Sequence, residues 1–71
     1  MDIDTIKCLA DDNGWKYADP QPDNHYLRFV KNGVILDLWN TTGTIRIIKD
    51  NKAEHFRDNT PKMIEDKFKI N

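Results

Sequence analysis

The dipeptide Asn32-Gly33 constrains this chain more than any other feature of its sequence. It lies between two runs of alternating residues, and Asn-Gly is the strongest short-range signal for a β-hairpin, because a type I′ turn needs positive φ at both central residues. A two-residue loop also determines which residues of the two strands lie opposite each other. The sequence therefore predicts paired strands at 25–31 and 34–39, with Tyr26 opposite Trp39.

Further turns extend this hairpin into a meander. The four-residue loop at 40–43 leads into a strand at 44–49, and the tight turn Asp50-Asn51 returns the chain into a strand at 53–57. Residues 15–18 alternate and could add a short first strand. The prediction is an antiparallel sheet of three to five strands.

The predicted register sorts the side chains onto two faces. One face is apolar and needs cover: Leu27, Phe29, Leu36, Leu38, Ile45, Ile47 and Phe56. Three rows cross the other face: Tyr26, Trp39, Thr44 and Arg57; Arg28, Asp37, Arg46 and His55; Val30, Ile35, Ile48 and Ala53. A carboxylate between two arginines is worth about 0.2–1 kcal/mol per cross-strand pair. We interpret the charged row as a salt-bridge ladder on an exposed sheet.

One helix is predicted before the strands in the sequence and one after them. Residues 3–13 carry apolar residues at helical spacing, with early aspartates as candidate N-caps and Gly14 as the C-terminal cap. Thr60 and Pro61 are typical of a helix start and predict a second helix at 61–69. The expected fold is a small α+β single domain over residues 1–71, a β-meander flanked by an N-terminal and a C-terminal helix.

The position of the helices decides what the second sheet face does. If both helices cover the apolar face, the row containing Val30, Ile35 and Ile48 is exposed beside the aromatic rings of Tyr26 and Trp39. An apolar patch rimmed by arginines usually marks a contact surface. If the helices take one face each, the same row is a second small core. We favour the shared face.

Length, charge and cysteine content exclude several classes of protein. A chain of 71 residues buries only about 60% of its unfolded surface, which leaves little room for a catalytic cavity beside a core. Its 11 basic and 12 acidic residues give a net charge of −1, unlike a general nucleic-acid coat protein or a DNA mimic. The single Cys8, with no signal peptide and no apolar run for a membrane span, favours a cytoplasmic protein.

The sequence offers no recognisable catalytic chemistry. It contains no serine, and His25 and His55 fall at opposite sides of the predicted sheet. Asp37 and Glu54 point to opposite faces, so they do not form an acid–base pair. We therefore expect no enzymatic activity, no metal site and no cofactor.

Binding is the remaining class of function. The candidate binding surface is Tyr26, Arg28, Trp39, Arg46, Arg57 and His55. Tyrosine, tryptophan and arginine dominate interface hot spots, which favours a protein partner. The alternative is a single-stranded nucleic-acid platform in which bases stack on the aromatic rings and arginines meet phosphates; the balanced charge disfavours it. A structural role is a further alternative, with homodimerisation through Val30, Ile35 and Ile48 or through the edge strand around Glu54.

The second hairpin resembles short proteins of bacterial phages and mobile elements. The run Val34-Ile35-Leu36-Asp37-Leu38-Trp39-Asn40-Thr41-Thr42-Gly43-Thr44-Ile45-Arg46-Ile47 looks like their aliphatic strand, terminal aromatic residue, Thr-Gly turn and second aliphatic strand. This resemblance implies a small anti-defence or host-takeover protein that binds and inhibits one host protein. The hairpin with Lys52-Ala53-Glu54 is also similar to the TATA-binding-protein-like domain of one bacterial ribonuclease H type, which implies nucleic-acid binding.

Overall fold

The computed structural model describes residues 2–18 and 26–69, and within them the protein is a small α+β domain. The two helices are α1 (Ile3–Asp12) and α2 (Pro61–Phe68). The strands are β1 (Lys16–Tyr17), β2 (Tyr26–Lys31), β3 (Val34–Trp39), β4 (Thr44–Lys49) and β5 (Lys52–Phe56). They form one antiparallel sheet in the order β1-β2-β3-β4-β5, with one helix before it and one after it, as predicted.

The turns impose the predicted strand alignment. Asn32 and Gly33 have φ values of 50° and 80°, and Asp50 and Asn51 have 52° and 64°, so both two-residue loops carry the positive φ of a type I′ turn. The pairings Tyr26 with Trp39 and those predicted between β3 and β4 are all present.

Element boundaries differ from the predictions by one residue at several ends. β5 runs from 52 to 56 rather than from 53 to 57, because Lys52 pairs with Lys49 and closes the turn. α1 ends at 12, where Asn13 is the C-cap and Gly14 follows with a φ of 85°. The first strand is two residues long, α2 ends at 68, and residue 25 lies outside the described part of the chain.

Side-chain caps define where both helices begin. The Asp2 carboxylate accepts a hydrogen bond from the Thr5 backbone N–H at 2.8 Å. The Thr60 hydroxyl accepts one from the Met63 backbone N–H at 3.3 Å, with Pro61 at the first helical position. Each cap satisfies a donor that an isolated first turn leaves unpaired.

Both helices cover the same face of the sheet, as predicted. The core is Ile6, Ala10, Trp15, Leu27, Phe29, Val34, Leu36, Leu38, Ile45, Ile64 and Phe68. The Phe68 ring packs edge-on against Phe29 at 5.2 Å between centroids, and the Trp15 indole N–H donates to the Phe68 carbonyl at 2.7 Å. Phe68 therefore joins α2 both to the sheet, through Phe29, and to the segment after α1, through Trp15. These contacts exclude the arrangement with one helix on each face of the sheet.

The 40–43 loop is locked to the segment that leads into α2. The Gly43 carbonyl accepts hydrogen bonds from the Asn59 backbone N–H at 3.0 Å and from its side-chain amide at 2.7 Å. The same amide donates to the Phe56 carbonyl at 2.9 Å. Asn59 therefore connects the loop, the end of β5 and the start of α2.

Gly43→Ala is expected to destabilise the fold by about 2–3 kcal/mol, more than Gly33→Ala at about 1 kcal/mol. Both glycines have positive φ, 68° and 80°. A Cβ at position 43 would lie 2.9 Å from the Asn59 carbonyl oxygen, whereas one at position 33 meets nothing within 4 Å. Urea denaturation of the two variants measures the difference, and equal losses would contradict the role of the Asn59 contact.

In the two described stretches of the chain, no helix has the length and apolar character needed to cross a membrane.

Candidate binding face

The sheet face turned away from the helices is the candidate binding face, and we call it the open face. Among the described residues no helix or strand lies over it, and its members alternate with the core residues along β2 to β5. It consists of Tyr26, Arg28, Val30, Ile35, Asp37, Trp39, Thr44, Arg46, Ile48, Ala53 and His55. All of them are half-buried or exposed except Asp37.

Asp37 is the centre of this face, and its residue exposure is 0%. Its carboxylate accepts hydrogen bonds from Arg28 Nε at 2.8 Å, from Arg46 Nη2 at 2.7 Å and from the Tyr26 hydroxyl at 2.9 Å. Further N–H groups of the two guanidiniums donate at 3.3 and 3.1 Å. The interpretation of the row as an exposed ladder was wrong for Asp37, because the longer side chains on both neighbouring strands close over the short carboxylate.

These contacts shift three pKa values. Burial by itself raises the pKa of Asp37, but hydrogen bonds from Arg28, Arg46 and Tyr26 outweigh it and hold the pKa below its usual range. Burial, assisted by the Asp37 carboxylate, raises the pKa of Tyr26. The hydrogen bond to Asp37 raises the pKa of Arg28. Asp37 is therefore ionised and Tyr26 protonated at neutral pH, which is the state that the hydrogen bonds require.

Trp39 is held between two neighbours. The Tyr26 ring lies 4.9 Å from it between centroids, inclined by 31°, and the Arg46 guanidinium carbon lies 5.3 Å from the indole centroid. Tyr26 belongs to β2 and Arg46 to β4, so they flank the indole from opposite sides of β3. The rings of Tyr26 and Trp39 thus pack against the Asp37–arginine cluster, with Arg46 stacked on the indole.

The structure brings together four of the six predicted binding residues: Tyr26, Arg28, Trp39 and Arg46. His55 lies on the same face, opposite Arg46, and is exposed. Arg57 was wrongly placed, because the ladder ends at Phe56 and Asp58 turns the chain with a φ of 55°. Arg57 instead lines, with Met63 and Asp66 of α2, a cleft of about 290 Å³ beside the C-terminal helix.

The aliphatic row continues the open face beyond the charged cluster. Val30, Ile35 and Ile48 are half-buried and Ala53 is exposed, in the register that the turns predicted. Together with the packed cluster they form one continuous amphipathic surface across four strands.

A cleft on the helix side of the sheet was missed by the sequence reasoning. It has a volume of about 460 Å³ and lies between Lys67 of α2 and residues of β4 and β5. Its lining includes four apolar residues, Trp15, Val34, Ile47 and Phe56, and three lysines, Lys49, Lys52 and Lys67. Glu54 and Asp50 complete the rim. The signal that sequence reasoning passed over was the lysine cluster around a charged edge strand.

Metal chemistry has no obvious site in the part of the chain that the structure describes. No group of three His, Cys, Asp or Glu side chains there is arranged to hold a metal ion, and Cys8 is exposed.

Comparison with known proteins found no match to this chain among protein-family models, curated sequences or solved structures. The features of this chain that bear on its function are therefore those of the open face.

Proposed function

We propose that the protein is a non-enzymatic binding module that docks onto a folded protein partner through the open face. The observation that carries this proposal is the buried Asp37 carboxylate, which holds two arginines and a tyrosine in fixed positions at the surface. On the resemblance of its second hairpin to short proteins of phages and mobile elements, the partner would be a host protein whose activity the module inhibits or modulates.

Preorganisation supports protein docking. Immobilising a rotamer-rich side chain at an interface costs about 0.5–1.5 kcal/mol. Arg28 and Arg46 are already held by Asp37, yet their side chains are 29% and 30% exposed, so part of each guanidinium is accessible to a partner. Arginine and aromatic residues next to small aliphatic side chains are the composition of interface hot spots.

The packing of Trp39 disfavours the nucleic-acid alternative. Base stacking on a sheet needs an accessible ring face, whereas Tyr26 and Arg46 flank the indole. The cluster of two arginines and one aspartate also carries a formal charge of only +1, on a chain with a net charge of −1. Sequence-independent binding depends on many phosphate contacts, and this face offers few.

Trp39→Thr and Ile48→Thr are each expected to weaken partner binding by about tenfold or more, because both residues lie on the open face and hot-spot truncations typically cost about 2 kcal/mol or more. Threonine keeps the strand propensity of both positions. The partner is first captured from a lysate of the native host, then produced in recombinant form and titrated calorimetrically. Tyr17→Thr is the matched control, since Tyr17 is an exposed aromatic residue that packs on Phe29 at the helix side.

The same three variants distinguish the outcomes. Equal affinity of the wild type and both open-face variants for the captured protein would refute docking through this face. Titration with a 15-nucleotide oligothymidylate over a range of salt concentrations tests the alternative, because phosphate contacts make affinity fall steeply with salt. If the wild type bound the oligonucleotide tightly and Trp39→Thr did not, the open face would be a nucleic-acid-binding surface and the protein-docking proposal would be refuted.

A further inference from the structure

The outer edge of β5 is exposed and unpaired within the described residues. β5 is the last strand of the sheet, and four of its five residues, Lys52 to His55, are exposed. The two-residue turn makes Lys49 and Lys52 a hydrogen-bonded pair, so the ladder bonds between β4 and β5 alternate from there. It follows that the backbone N–H and C=O groups of Ala53 and His55 point outward, away from β4.

This edge differs from the opposite one. β1 has only two residues, Lys16 and Tyr17, and offers little for another strand to pair with. An exposed edge strand of five residues is a template for strand addition unless its side chains prevent it. The side chains of β5 therefore decide which strand can be added.

We propose that the occupant of this edge is a second copy of the chain, paired antiparallel through β5 with the two Ala53 residues opposite each other on the two-fold axis. In this register Lys52 of each copy lies opposite Glu54 of the second copy, which gives two cross-strand pairs of opposite charge. The outward N–H and C=O groups of the two Ala53 residues then bond each other. This inference does not depend on the proposed function.

The alternating bond pattern leaves only registers centred on a residue, and those centred on Glu54 and on His55 are less favourable than the one centred on Ala53. A register centred on Glu54 sets two carboxylates directly opposite each other, which is destabilising. A register centred on His55 sets Glu54 opposite Phe56 and leaves Lys52 without a strand residue opposite it, so neither side chain gains a partner of opposite charge. Only the Ala53 register combines a small side chain on the axis with two opposite-charge pairs.

Charge at the edge supports the Ala53 register. Lys52 and Glu54 are exposed and form no ion pair among the described residues. Both line the 460 Å³ cleft on the helix side of the sheet. The Ala53 register sets Lys52 opposite Glu54 of the second copy and Glu54 opposite its Lys52, so each gains a neighbour of opposite charge that the described part of its own chain does not supply.

The open face supports the same register. Ala53 belongs to the aliphatic row with Val30, Ile35 and Ile48, because it pairs with Ile48. Placing Ala53 opposite Ala53 continues this row straight into the second copy. The result is a ten-stranded sheet with an unbroken aliphatic stripe along one face, instead of two stripes offset by a register shift.

Sedimentation velocity of the full chain from about 10 µM to 1 mM tests the proposal. Because the ladder is short, we expect dimerisation in the upper part of this range, weakening as salt is added. Lys52→Glu and Glu54→Lys should each weaken dimerisation by about tenfold or more, since each turns two attractive pairs into repulsive ones. The double variant K52E/E54K should restore the wild-type dissociation constant. Both substituted side chains are exposed, so circular dichroism should show unchanged folds.

Four results would overturn the proposal. A wild-type chain that is monomeric at every concentration has no such interface. A dimer that both single variants leave intact does not use this edge. A dimer weakened by Glu54→Lys but not restored in the double variant pairs in another register, and one abolished by Ile48→Thr alone associates through the open faces instead.

Discussion

Asp37→Asn is expected to lower the free energy of unfolding by about 2–3 kcal/mol. Breaking one side of a buried ion pair typically costs about 3–5 kcal/mol, because the other charge stays buried and uncompensated. The two arginine side chains here are 29% and 30% exposed, so water compensates part of the loss and we expect a value below that range. For a domain of this size, whose net stability is about 3–5 kcal/mol, this is a large share.

The contribution of Asp37 should depend on pH in a defined direction. Its pKa in the folded protein lies below the unfolded value of about 3.9, so the unfolded chain binds the proton more readily. The stabilisation is therefore fully present above about pH 5 and is lost as the pH falls through about 4 and then through the folded pKa. Urea denaturation of the wild type and Asp37→Asn at several pH values should show curves that converge toward acid.

Glu54→Gln is the matched control, because it removes one carboxylate at an exposed position of the same sheet. We expect it to change the free energy of unfolding by less than about 0.5 kcal/mol. If Asp37→Asn proved as mild as this control, or if the difference from wild type did not shrink at low pH, the carboxylate would not hold the open face together. Asp37 would then not preorganise the two arginines for protein docking either.

Phe68→Ala is expected to have the largest effect on stability, about 3–5 kcal/mol. The side chain is completely buried at the end of α2 and forms edge-on contacts with Phe29 at 5.2 Å and with Trp15 at 6.1 Å. Its loss leaves a cavity between α2 and the sheet. Chemical denaturation measures the loss, and the fluorescence of Trp15 in a Trp39→Phe background should shift to longer wavelength as its surroundings open.

Lys62→Ala is the control for this experiment, because Lys62 lies in the same helix with its side chain 73% exposed. A change within about 0.5 kcal/mol is expected there. A loss below about 1 kcal/mol for Phe68→Ala would mean that α2 contributes little to covering the sheet. The open face could then not be distinguished from the helix side by its exposure.

Turn chemistry accounts for most of what could be predicted about the open face. Asn32-Gly33 and Asp50-Asn51 are short loops whose geometry allows one alignment of the strands on either side. Once the alignment is known, the period of two assigns every strand residue to a face. Tyr26 and Trp39 could therefore be placed together from local information alone.

Packing between distant parts of the chain explains the features that could not be predicted. Asp37 is enclosed because the long side chains of two arginines and a tyrosine extend over it from the neighbouring strands. The alternation of residues along a strand predicts the face on which a side chain lies, but not how far it extends. Arg57 lies beyond the ladder, in the segment where Asn59 bonds Gly43 of another loop. The lysine-rimmed cleft brings Lys67 of α2 beside residues of β4 and β5, which meet only in the folded chain.

The sequence by itself determined the order of the strands, their register and, apart from Arg57, the composition of each face, because short turns with positive φ act locally and permit little choice. Only the tertiary structure decided that both helices cover one face, through the contacts of Phe68 with Trp15 and Phe29. It also decided that Asp37 is enclosed. Burial is a property of residues far apart in sequence that meet, and no local pattern specifies which of them do.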